Sequence, residues 1–204
     1  YGTTANINAF ALGVKVVNPT AWVHLAWSSQ KGVSAKEIFK EAHVSHISGA
    51  DTINPSRASR LYGLYDLDEK TGLVASPIWH WGKFYQRILQ TILNGNWSRS
   101  ASAVMGSSIN YWWGISSGMV DMITSSSVPW RTLRLVELVK KQIVNGEFQI
   151  FSGELRDQNG VIRHSGNDPM TPEEIIRMDW LCDNIKGTIP TAEELVEDAV
   201  PMVE

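Results

Sequence analysis

GLVASPIWHWGKFYQR, residues 72–87, carries two structural periods with almost nothing between them. Leu73 to Ile78 is a short apolar run that predicts a strand. From Phe84 onward, Phe84, Tyr85, Ile88, Leu89, Ile92 and Leu93 fall at the three- and four-residue spacing of an amphipathic helix. Trp79-His80-Trp81-Gly82 joins the two without a polar turn. A strand that enters a helix through two indoles makes a poor solvent loop and suits a crossing between two lobes, at 77–81. Indoles at such a place either pack between the lobes or wall a cleft for a flat, π-rich ligand. Both readings stand, and 9 Trp in 204 residues make an indole wall a natural expectation.

Composition narrows the function classes. A net charge of −3 leaves no basic stripe to neutralise phosphates, which argues against a nucleic-acid partner. Cys182 is the single cysteine, which excludes an internal disulfide and a cysteine-based metal site. No apolar run approaches the ~20 residues of a membrane span. The five histidines show no metal spacing, and no cofactor-binding fingerprint or Ser-His-acid order is visible. Lys140-Lys141 reads as ordinary helix surface.

The rest of the chain alternates helix and strand. Ile7, Phe10, Ala11 and Val14 predict a first helix with those residues inward, and Trp22 to Trp27 predicts a buried parallel strand. Ser34-Ala-Lys-Glu37 is a capping box, followed by strands at 44–48 and 62–67. Short connections between them predict a βαβ parallel sheet. Further on, Ile109–Trp113, Ile115–Met122, Phe148–Phe151 and Val161-Ile162 read as strands. Pro129 opens a helix with Leu133, Val136, Val139 and Ile143 inward, and Asp157-Gln-Asn-Gly160 is a tight turn.

The order of these pieces resembles the basic membrane protein family of purine-binding lipoproteins, substrate-binding components of bacterial ABC transporters. The resemblance rests on Asn8-Ala-Phe-Ala-Leu-Gly13 with Asn18-Pro19, a strand ending in Trp27, Gly49-Ala-Asp-Thr52 and Trp79-His-Trp-Gly82. It continues through Trp113-Gly114 with Gly118-Met-Val-Asp121, Asn145-Gly146-Glu147 with Phe151-Ser-Gly153, Asp157 to Gly160, and Met178-Asp179-Trp180. It implies an α/β fold of two doubly wound parallel-sheet lobes, the type I periplasmic binding protein, with the ligand between them. Residues 1–76 would form second-lobe structure, 77–81 the hinge crossing, and 82–204 the return to the first lobe. Most of the first lobe and the lipid-anchor cysteine would then lie outside this chain.

The implied function is capture and release of a purine base or nucleoside, handed to a permease without chemistry, at an extracytoplasmic site that is periplasmic or lipid-anchored. A ligand sensor on the same fold and a nucleoside hydrolase or transferase are the alternatives. Candidate ligand residues are Trp27, Gly49, Asp51, Thr52, Asp66, Trp79 and Trp81. Gly49 to Thr52 follows a strand, where open α/β sheets place ligands, although Asp51 also suits a helix cap. The family's ribose-binding aspartate falls at Asp66 or Asp68. Nucleoside-binding members carry a lysine in the crossing strand; here Trp79, His80 and Trp81 occupy it, which implies a free base as the preferred ligand.

Overall fold

The computed structural model describes residues 3–49, 63–66, 72–95 and 113–202. They cluster into two compact units, Tyr1–Gly72 with Gln149–Glu204, and Leu73–Phe148. The segment 77–81 lies inside the second unit, whose first residue is Leu73.

The first unit is built on α1 (Thr3–Val17). Its buried face is Ala5, Asn8, Ala11 and Leu12, while Phe10 is exposed. The expected face of Ile7, Phe10, Ala11 and Val14 is therefore turned by about one position. The reason is Asn8, whose amide is drawn inward by backbone groups of the C-terminal segment. Asn8 Nδ2 donates to the Trp180 carbonyl at 2.8 Å, and its Oδ1 accepts from Cys182 N–H at 2.9 Å. The core around it gathers Phe151, Leu155, Met170, Met178, Trp180 and Leu181.

After α1, β1 (Val23–His24) pairs in parallel with β8 (Ile185–Lys186) from the far end of the chain. The parallel strand expected over 22–27 is thus two residues long. α2 (Ala35–Glu41) begins at Ser34, whose hydroxyl accepts from Glu37 N–H at 3.4 Å, as the capping pattern predicts. β2 (His46–Gly49) and β3 (Gly63–Asp66) lie antiparallel, from His46 opposite Asp66 to Gly49 opposite Gly63. This corrects the expected parallel sheet. His-Ile-Ser-Gly alternates exposed and half-buried positions, the pattern of a one-sided antiparallel ribbon and not the apolar run of a parallel strand buried on both faces.

In the second unit, β4 (Leu73–Trp79) pairs antiparallel with β5 (Val120–Thr124), and β4 feeds α3 (Trp81–Leu93). Ile115–Ser117 forms a short 3-10 turn where a strand was expected. α4 (Trp130–Val144) follows Pro129, with Leu133, Val136 and Val139 half-buried and Ile143 exposed. Back in the first unit, β6 (Leu155–Arg156) and β7 (Ile162–His164) form a hairpin around the predicted 157–160 turn, and Phe148–Phe151 is not a strand. α5 (Pro172–Ile176) starts on a complete Thr171–Glu174 capping box. The described residues form a mixed α/β structure with parallel and antiparallel pairing.

Candidate ligand-binding site

The junction read from the sequence exists, and it is tight. β4 ends at Trp79, opposite Val120. His80 N–H then donates to the Met119 carbonyl at 2.8 Å, which extends the ladder by one bond. The same residue is the N-cap of α3, and its carbonyl accepts from Lys83 and Phe84 N–H at 3.0 and 3.2 Å. One residue therefore ends the strand and starts the helix, leaving no room for a polar turn.

The indoles on either side of His80 are open to solvent, Trp79 at 47% and Trp81 at 57%. Trp81 stands edge-on to Phe84 with centroids 5.9 Å apart, and Phe84 meets Trp113 in the same manner at 5.6 Å. Arg87 covers the Trp113 ring at 5.6 Å. Phe84 thus backs Trp81, with Trp113 against Phe84 in turn, while much of the Trp81 surface remains available.

On the Ile78 face of the β4–β5 ladder, the face opposite Trp79, lies a charged group that the sequence reading missed. Asp121, on β5 opposite Ile78, receives Lys140 Nζ at 2.6 Å, with His80 Nε2 at 3.9 Å from its other oxygen. The Lys140 hydrogen bond, then the Met122 N–H, hold the Asp121 carboxyl below its ordinary range, and the same bond raises Lys140. Lys140 is consequently not ordinary surface: its side chain is half-buried. The available signal was its position four residues after Val136, on the inward stripe of α4. Lys83 folds back over the turn before β5, since a Cβ on Gly118 would sit 3.4 Å from its Nζ. Trp79 and the His80–Asp121–Lys140 group therefore lie on opposite faces of the β4–β5 ladder.

The remaining candidates lie in the first unit. Gly49 and Asp66 are at opposite ends of the β2–β3 ladder, opposite Gly63 and His46. Trp27 follows β1, and its indole N–H donates to the Thr188 carbonyl at 2.8 Å. Asp51, Thr52 and Asp68 lie outside the described residues. A cavity of about 190 Å³ in this unit is lined by Asp157, Asn159, Arg163, Trp180, Thr188 and Ile189, among others. It is smaller than the ~300–1,000 Å³ typical of ligand clefts. Its polar groups serve structure: Asp157 accepts from Asn159 and Val161 N–H and from Arg163 Nε at 2.7 Å.

No protein-family model matches the chain. The chain is 23% identical over 199 residues to a purine-binding protein of Brucella abortus (strain 2308), an alignment covering 90% of this chain and 54% of that protein. It therefore spans about half the length of the curated relative it matches.

Proposed function

We propose that the protein binds a purine, as the extracytoplasmic solute-binding component of an ABC transporter. The observation that carries this reading is the pair of exposed indoles, Trp79 and Trp81, set around a one-residue strand-to-helix junction. Stacking of a base on an aromatic ring contributes about 1–3 kcal/mol, and every purine offers such a face. Similarity to the Brucella protein supports the ligand class. The motif resemblance supports the transport role, with a permease as partner, a cleft between lobes as the setting and a lipid anchor to the membrane.

Asp51 and Thr52 are the proposed polar partners of the ring, Asp66 or Asp68 the partner a ribose would use, and Trp27 a second wall. Binding and release involve no chemical step. Within the purines, a free base fits better than its nucleoside, because indoles occupy the place where a lysine would hold the ribose. A thermal-shift screen of the full-length protein against bases, nucleosides and sugars tests the ligand class. A purine at about 100 times its Kd should add about 2.7 kcal/mol of stability. Stabilisation by sugars alone, or turnover of inosine or adenosine to base and sugar, would overturn the reading.

A further inference from the structure

α4 has two faces of different chemistry. Leu133, Val136, Val139 and Lys140 are half-buried against their own unit. On the opposite side, Trp130, Arg134 and Leu138 follow one another at four-residue spacing, flanked by Arg131, Leu135 and Lys141. Trp130 is 70% exposed and Leu138 55%. The Arg134 guanidinium stands over the Trp130 ring at 5.7 Å, and neither Arg131 nor Lys141 is paired among the described residues. The acid of this helix, Glu137, leans towards Lys140 at 3.9 Å, off the centre of the outward stripe. A cluster of three cations on a chain of net charge −3 is a local feature with a direction.

We infer that this outward face of α4 lies along an anionic lipid surface. Cations interleaved with leucines and a terminal tryptophan match both layers of such a surface. Guanidinium and ammonium groups meet the lipid phosphates, while Leu135, Leu138 and the Trp130 ring enter the boundary between headgroup and acyl chain. A nucleic acid would satisfy the cations but leave the leucines against phosphate or water. An acidic protein groove is the competing occupant, and the lipid is favoured because one bilayer surface offers an anionic layer for the three cations and an apolar layer within reach of the exposed Trp130 and Leu138.

Flotation of the 204-residue chain with vesicles decides the matter, because self-associated protein does not float. The chain should rise with phosphatidylcholine vesicles containing phosphatidylglycerol and stay down with phosphatidylcholine alone. At about fivefold per cation, an Arg134→Glu/Lys141→Glu variant should bind at least about tenfold less. Leu138→Gln should lower binding several-fold, which purely electrostatic attachment would not. Lys36→Glu/Lys40→Glu, an equal charge change on exposed positions of α2, should leave flotation intact, and circular dichroism should show all variants folded. The inference fails if the chain does not float with the anionic vesicles, if it floats equally with neutral ones, or if the α4 and α2 variants behave alike. Retention on immobilised polyglutamate without flotation would assign the face to an acidic protein instead.

Discussion

Asn8 is fully buried, and its amide serves as a clip between α1 and the 178–182 segment. Replacing it with Leu leaves the Trp180 carbonyl and the Cys182 N–H without that partner inside the core. Each buried unsatisfied group costs about 1–3 kcal/mol, so Asn8→Leu should destabilise the chain by about 2–4 kcal/mol in urea unfolding. A loss below about 0.5 kcal/mol would mean the clip is not holding the core. Asp157 gives a pH prediction. Burial pushes its carboxyl up, but the Arg163 bond and the Val161 and Asn159 N–H groups outweigh this and hold it below its ordinary 3.8. Asp121 is lowered as well, by Lys140 first. A lowered folded value means the unfolded chain binds protons first as acid is added. The stabilisation is therefore complete above 3.8 and lost as pH falls through the folded values below it. Asp157→Asn should weaken the fold at neutral pH and flatten the acid limb of a melting-temperature profile; an unchanged limb would count against these contacts. In the sequence, Asn8 is a polar residue in an apolar helix stripe, and nothing local says which way it points. Its partners lie about 170 residues away.

The β4–α3 element was legible because its two periods abut, and the structure places the change of period at His80, where they meet. The helix over 130–144 and the 157–160 turn were equally local signals. Strand partners were not. β1 finds β8 from the C-terminal end, and β2 and β3 run antiparallel, because pairing is chosen by contacts that no short window contains. The β1–β8 pair has its own test in Gly187, just after β8, where φ is 141°. A Cβ there would lie 2.7 Å from the Leu25 carbonyl oxygen, so backbone geometry and space both demand glycine. Gly187→Ala should cost about 1–3 kcal/mol and loosen the β1–β8 contact, read as faster amide exchange at Val23 and Leu25. Exchange and stability matching the parent would show that the two segments approach less closely.

Across the whole molecule, large apolar side chains remain uncovered. Trp81, Tyr85, Leu89, Ile92 and Leu93 are exposed along α3, so much of its apolar stripe faces outward. A contiguous apolar row of this kind favours contact with another surface. The 204-residue chain alone should therefore self-associate in sedimentation velocity, and Leu89→Glu with Leu93→Glu should reduce it. A monodisperse, cooperatively melting parent would contradict this. Of the candidate site, the indole junction was readable from the sequence as a place. The neighbouring Asp121–Lys140 pair was not, since a lysine on an apolar stripe and an aspartate in a strand signal each other only once they are packed.

Titration calorimetry of the full-length protein tests the central claim, that the junction indoles hold a flat heterocycle. Adenine and hypoxanthine are compared with adenosine and inosine, on the parent and on Trp79→Ala. The account predicts tighter binding of the bases, and a loss of about 1–3 kcal/mol of base affinity when Trp79 is removed. Tighter binding of the nucleosides, or unchanged base affinity in Trp79→Ala, would contradict it.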